Sequence, residues 1–373
     1  MFPRVIDSGK MLRNFVQILR SGAVGRKSLG TRPKKLVQRW LLEATEKQLL
    51  NADVGNAPSL ADVVKMVHPK PAEAWCAAWF AWLIGKPHDE AALPPATRAF
   101  ERFKRDATGE PPDVPFQMLT ALGMTPAQWA QVARAGSWQM VRQNLNTFAR
   151  HGVFEQPGMA KAIAAKLRDP QAVARARVLP YQLMSAFKAA GEAVPAVVQD
   201  ALQDAMELAI GNVPSLHGRV VVCPDVSGSM RSSVTGWAGS ATSTVNPRDS
   251  VMTNAQKLAG IGGGGTSCSA PLARLNRERA QVDLVILVSD NESWMDARRS
   301  GATATMREWE TLKQRNPGAR LVCIDIQPHA TTQAAERADI LNVGGFSDAV
   351  FEMIANFAEG AWAPATGSAR LKR

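Results

Sequence analysis

The apolar positions of this chain change their period once, near residue 214. Up to about residue 210, hydrophobic side chains recur every three or four positions, the spacing of one face of an α-helix. "PKKLVQRWLLEATEKQLL" places Leu36, Trp40, Leu41 and Ala44 on one face and turns Lys35 and Arg39 away from it. "SLADVVKMV" opens with Ser59 as an N-cap. "PAEAWCAAWFAWLIGK" sets Trp75, Trp79 and Trp82 at helical spacing, a core stripe, and stops at Gly85. "SWQMVRQNLNTFARHG" aligns Trp138, Val141, Leu145 and Phe148, with Arg142, Asn146 and Arg150 on another face and Gly152 at the end. "DPQAVARARVLPYQLMSAFKAAG" and "VPAVVQDALQDAMELAIGN" continue the series, and short loops with Pro and Gly separate its members. A helical repeat or bundle is predicted over residues 1–213, without a strict sequence period.

Beyond that point "RVVVCPD", "VDLVILVSD" and "ARLVCIDI" are short, continuous apolar runs rich in Val and Ile. Such runs suit strands buried on both faces of a parallel sheet. Helical stretches, "APLARLNRERA" and "ATATMREWETLKQR", lie between them, and "SDAVFEMIANFAEG" closes the series. The alternation predicts a doubly wound α/β domain of mostly parallel strands over residues 214–362, with ligands at the carboxyl ends of the strands. Residues 363–373 read as a flexible tail.

The 373 residues suffice for two or three domains with real cores. No apolar run approaches a membrane span, and "MFPRVIDSGKMLRNF" lacks the features of a signal peptide. Cys76, Cys223, Cys268 and Cys323 are scattered, as expected of reduced thiols in a cytoplasmic protein. The net charge of +11 sharpens the picture through its placement: the first 50 residues hold 11 basic and 3 acidic side chains. Positive charge gathered at one end suits a polyanion, because neutralised phosphates release their counterions. A solvated basic surface is the alternative reading.

The carboxyl half carries a separate cluster of oxygen atoms. "DVSGSM" follows the first predicted strand and supplies Asp225, Ser227 and Ser229. "GGGGTSCS" offers Thr266, and "LVILVSDNES" places Asp290 at the end of another buried strand. Two carboxylates and three hydroxyls at one sheet edge suit a hard divalent cation, Mg²⁺ above all. Singly, each element is equally a strand-end turn. The glycine loop lacks the Lys of a phosphate-binding loop, Ser227 does not sit in a nucleophile elbow, and no histidine lies beside the cluster in sequence. No enzyme is predicted.

The D-x-S-x-S, Thr, Asp set resembles the metal-ion-dependent adhesion site of von Willebrand factor A (vWA) domains. "VVVCPDVSGSM", "GGGGTSCSAPL" and "VSDNESW", behind "GTRPKKLVQRWL" and "SLADVVKMVHPKP", resemble the TROVE family, the Ro RNA-binding proteins and their bacterial relatives. The resemblance implies HEAT-like helical repeats joined to a vWA domain, with a divalent cation held by Asp225, Ser227, Ser229, Thr266 and Asp290. It implies a monomer that binds small noncoding, Y-like RNA on its basic outer surface and single-stranded ends of misfolded RNA in a central hole. The implied work is RNA quality control, in some bacteria with an exoribonuclease. The candidate RNA contacts are Arg26, Lys27, Arg32, Lys34, Lys35 and Arg39; then Lys65, His68 and Lys70; then the stripe of Arg142, Gln143, Asn146 and Arg150. His68 matches a family histidine; a helix-end histidine bonded to backbone is its alternative. The competing function is a protein-interaction module whose metal docks an acidic side chain of a partner.

Two departures from the family stand out. The family carries a further block of helices before the segment that begins at Met1, so a ring begun here is expected to be incomplete. Ser229 and Thr266 are 37 positions apart, filled largely by "RSSVTGWAGSATSTVNPRDS" and the short helical "SVMTNAQKLAG". A helix and a strand pair normally fit there. Residues 231–250 are therefore expected to be poorly ordered and the sheet to expose an edge.

Overall fold

A computed structural model describes residues 5–25, 27–225, 246, 248–260, 268–290, 301–327 and 332–361. The chain forms two compact units, one of residues 1–163 with 193–195 and the other of residues 164–192 with 196–373. The second unit thus takes in helices that precede the change of hydrophobic period.

The first unit is helical: α1 (Gly9–Arg20), α2 (Thr31–Glu43), α3 (Glu46–Asp53), α4 (Leu60–Val67), α5 (Ala74–Leu83), α6 (Pro95–Arg105), α7 (Phe116–Leu119), α8 (Pro126–Ala135), α9 (Trp138–Gln143), α10 (Leu145–Arg150) and the first part of α11 (Met159–Leu167). Leu12, Val16, Leu41, Leu49, Val63 and Trp79 share one buried core. Helix α1 packs closely on α3: a Cβ at Gly9 would lie 2.1 Å from Ala52 Cβ, so glycine permits the approach.

Two of the expected helices are each divided. The run from Pro33 to Leu50 breaks at Ala44, because Thr45 and Gln48 form a reciprocal capping box that starts α3. The run after Ser137 breaks at Asn144, which leaves helical backbone and donates its side-chain amide to Met140 O at 2.7 Å. The buried face of Trp138, Val141, Leu145 and Phe148 nevertheless survives the break. Ser59 caps α4 as expected, in a capping box with Asp62.

The second unit holds the rest of α11, then α12 (Pro170–Ala176), α13 (Pro180–Ala189) and α14 (Ala196–Ala209). There follow β1 (Val220–Pro224), α15 (Val251–Gly260), α16 (Ala270–Arg277), β2 (Leu284–Ser289), α17 (Gly301–Arg315), β3 (Arg320–Asp325), β4 (Ile340–Gly344) and α18 (Ala349–Ala358). The four strands are parallel in the order β1-β2-β3-β4, with Val220 opposite Leu284, Leu284 opposite Arg320 and Leu321 opposite Ile340. Alternate residues serve opposite faces. Val285, Leu287, Leu321 and Cys323 pack with Leu272, Trp309 and Leu312 from α16 and α17. Leu284, Ile286, Val322 and Ile324 pack with Val350, Ile354 and Phe357 from α18. Burial on both faces explains the unbroken apolar runs.

Among the described residues β1 is an edge strand, and Val222 is 57% exposed, in line with the expected open edge. Chain entry to β1 is fixed by Gly218, at φ +91, and by Arg219, whose guanidinium grips Asp283 through bonds of 3.0 and 3.1 Å. The expected disorder of 231–250 falls largely outside the described residues. Asn246 and Arg248–Ser250 form the turn into α15, where Ser250 Oγ accepts from Thr253 N–H at 3.0 Å. The tail from residue 363 lies outside them too.

Candidate nucleic-acid interface and metal centre

The basic segment is carried on α2 and on the end of α4. The helix buries Val37 and Leu41 on one side, and Arg32, Lys35 and Arg39 on another are exposed. Their spacing of three and four aligns them as one stripe along the helix. Gln38 links this helix to α4: its Nε2 donates to Val67 O at 2.6 Å and to His68 O at 3.3 Å. Lys34, one turn before Gln38, is half-buried on the same side. Lys65, His68 and Lys70 are exposed around the same helix end.

His68 is the C-cap of α4 in the left-handed region, at φ 51, and its N–H donates to Val64 O at 2.9 Å. Its backbone makes these bonds and the residue is exposed, so the helix-end role and an outward imidazole coexist. Two of the three predicted groups are therefore brought together through the α2–α4 contact. Lys27 stands exposed in the loop before α2, and Arg26 lies outside the described residues.

The third group is split. Gln143, Asn146 and Arg150 are exposed, but Arg142 is half-buried and its Nε donates to Gln139 Oε1 at 3.4 Å. Burial lowers the pKa of the Arg142 guanidinium from its ordinary value. The break at Asn144 separates Arg142 and Gln143 on α9 from Asn146 and Arg150 on α10.

The carboxyl ends of the strands form the second site. Asp225 follows β1 directly and its N–H continues the ladder to Val288 O at 2.7 Å. Ser289, the last residue of β2, donates its hydroxyl to Asp225 Oδ2 at 2.7 Å. Asp290 follows at once and is only 3% exposed. Adjacent parallel strands thus deliver two carboxylates to one edge, as the sequence predicts, with the Ser289 hydroxyl as a fixed donor. A carboxylate buried this deeply requires compensation by donors or a cation. The donor set is hard oxygen, and it fits a small divalent ion. Ser227, Ser229 and Thr266 lie outside the described residues.

The sequence reading missed two neighbours here. Asp325 ends β3 opposite Ser289 and is 9% exposed, a third acid at the same edge. It carries the signal used for Asp290, an aspartate closing an apolar run. Cys268 lies beneath, its Sγ 3.9 Å from Ser289 Oγ. The four cysteines are free thiols. Burial holds Cys223 protonated, with its pKa raised to about 11, and raises Cys323 further.

Known proteins give this geometry a context. Residues 238–358 match the family described as the Ro60 vWA domain. The chain is 27% identical over 362 residues to the RNA-binding protein RO60 of Deinococcus radiodurans, covering 81% of this chain and 66% of that protein, so it spans just under two thirds of the relative's length. The crystal structure of the Deinococcus radiodurans Ro protein, RSR, is similar in fold, with a TM-score of 0.68 over 97% of this chain and 82% of that one at 22% identity. A helical region, an all-parallel sheet ending in paired aspartates, and these likenesses agree: residues 238–358 match a vWA domain of the Ro60 type, and the chain as a whole is similar to the Ro proteins.

Proposed function

We propose that this chain is a non-catalytic RNA-binding protein of the Ro type. It holds small noncoding, Y-like RNA and the single-stranded ends of misfolded RNA in cytoplasmic RNA quality control, working with an exoribonuclease. The observation that carries the reading is the α2–α4 corner. There Arg32, Lys35 and Arg39 form an exposed stripe, and Gln38 fastens it to the helix end that bears Lys65, His68 and Lys70. Exposed cations at helical spacing suit phosphates, and they position RNA without reading its sequence. The similar Deinococcus radiodurans protein is itself described as RNA-binding.

The metal site serves the vWA domain in this proposal. Asp225 and Asp290, with Ser227, Ser229 and Thr266, hold a divalent cation, Mg²⁺ by the hardness of the ligands. The cation would supply an open coordination position for water or an acidic partner residue. Nothing in the RNA-binding step passes through it.

The test is binding of a small structured RNA by filter retention across salt concentrations. The parent is expected to bind at submicromolar concentration, with affinity falling steeply as salt rises. Replacing Lys34, Lys35 and Arg39 with alanine should weaken binding about tenfold or more and flatten the salt dependence. Equal binding by the triple variant would remove the α2–α4 corner from the interface.

A further inference from the structure

We propose that the cleft beside Trp40 is a stacking subsite for a guanine base of a single RNA strand, whose phosphates follow the Arg32–Lys35–Arg39 stripe. This rests on the RNA-binding reading and adds to it a base that the protein recognises.

Most large aromatic side chains of the first unit are unavailable for stacking. Trp79, Trp129 and Phe148 are fully buried, and the partly buried Trp82 donates its indole N–H to Glu101 at 2.8 Å. Trp40 differs: it sits at the border of the apolar stripe of α2, half-buried, and lines a cleft of about 290 Å³. Leu36, one turn before it, and the buried Ile6 supply the remaining apolar wall. The volume lies at the small end of ligand sites, which suits a single base. Bases stack on such a surface through their π-faces.

The rim gives the base its identity. Two carboxylates, Asp7 and Glu43, line the cleft together with the guanidinium of Arg39. Arg39 and Glu43 are 4.0 Å apart with side chains 70% and 73% exposed, a loose pair that leaves both groups bonding capacity. Gln48 is oriented by its capping bonds, in which Oε1 accepts from Thr45 N–H at 2.9 Å and Thr45 Oγ1 at 3.1 Å. Gln48 also lines the cleft, and its Nε2 supplies a further donor to the site. Guanine presents two adjacent donors, N1–H and the N2 amine, and two acceptors, O6 and N7. A carboxylate accepts from the first pair and a guanidinium donates to the second. Adenine and cytosine each present a single exocyclic donor beside an acceptor, so neither uses a carboxylate through two bonds.

The same helix supplies a path for the backbone. Arg32, Lys35 and Arg39 follow one another at about 4 to 6 Å along the axis, a spacing suited to successive phosphates of an extended strand. Arg39 and Trp40 both line the cleft, so the base and its phosphate meet side chains of one site.

The test is fluorescence anisotropy with a labelled ten-nucleotide oligouridine bearing one internal guanine, and the same strand with hypoxanthine or uracil there. The guanine strand should bind about tenfold tighter than the uracil strand. Hypoxanthine lacks the N2 amine and should cost about threefold. Trp40→Ala should abolish the guanine advantage and Trp40→Phe should retain most of it. Asp7→Asn with Glu43→Gln, both at exposed positions, should make guanine and hypoxanthine strands equal, while any gain from the two lost negative charges is shared by all three strands. Strands that bind the parent alike, or a guanine advantage that survives Trp40→Ala, would overturn the proposal even with RNA binding intact. If no strand binds, yet GMP binds the parent better than AMP or CMP and shifts the Trp40 indole resonance, the base site stands and the RNA reading falls. GMP binding as tightly as the guanine strand would overturn the phosphate path.

Discussion

The α2–α4 corner and the carboxyl edge of the sheet follow opposite physical plans. At the corner, Arg32, Lys35, Arg39, Lys65 and Lys70 are exposed to water. At the sheet edge, Asp290 and Asp325 are nearly buried and Ser289 is 2% exposed, so charge is concentrated where water is scarce. Exposed cations contribute separately and modestly, and salt screens them. Buried carboxylates act as a set, because each depends on donors, and on any cation, shared with its neighbours. A polyanion surface therefore tolerates the loss of one member. A cation site fails as a unit.

The hardest test of that contrast removes the support of the edge without touching the corner. Trp309 is fully buried against the face of the sheet that bears Ser289, and its indole N–H donates to Asp339 Oδ2 at 3.1 Å. Trp309→Ala should cost about 3 to 5 kcal/mol in the urea unfolding of the second unit. Affinity for structured RNA, measured at low temperature in the absence of denaturant, should stay within about twofold of the parent. A large loss of RNA binding would show that the two plans are coupled. Next in size is the cation itself. Mg²⁺ at a hundred times its dissociation constant should stabilise the parent by about 2.7 kcal/mol, read as a rise in melting temperature that a chelator reverses. Asp225→Ala should abolish that rise and leave the salt dependence of RNA binding unchanged. A rise that persists in the variant would place the ion elsewhere.

The same contrast governs what the sequence discloses. Strands β2 and β3 are legible because burial on both faces leaves continuous apolar runs; β1 shows a similar run although it is only partly buried, and Asp225 and Asp290 are legible because they end such runs. The β4 strand escapes that reading. "ILNVG" is short, and Asn342 interrupts it with a polar group whose bond, to Ala334 O at 3.0 Å, depends on tertiary structure. Asp325 shows the strand-end signal but has no run of hydroxyl residues to set it apart. In the helical unit, period alone joins α2 to α3 and α9 to α10. The breaks come from local competition by Thr45, Gln48 and Asn144 for backbone groups, and periodicity does not register it. Trp40 falls within an apolar stripe and reads as core, because a stripe does not reveal which of its members stands at the border. The meeting of Lys34 and Lys35 with Lys65 and His68 involves long-range bonds from Gln38, which no local pattern announces.

The smallest expected effect lies at the opposite end of the sheet from its buried acids, where a carboxylate is exposed and closely paired. The Arg219 guanidinium, and then its backbone N–H at 2.7 Å, hold the Asp283 carboxyl at about 2, below its ordinary 3.8. Over that window the folded chain keeps the carboxylate ionised while the unfolded chain takes up a proton, so the unfolded state gains as pH falls. The contribution is intact above about pH 4 and is lost as pH drops towards about 2. Asp283→Asn should lower the urea midpoint slightly at neutral pH, and the gap between variant and parent should close as pH falls through that window. A gap that stays constant down to the lowest pH would mean that the pair acts through shape rather than charge. Gly218 makes that outcome a real alternative, since a Cβ there would lie 2.8 Å from Asp283 Oδ2. Gly218→Ala separates the two causes: it strains the turn while retaining both charges, so its cost should persist across the same pH range.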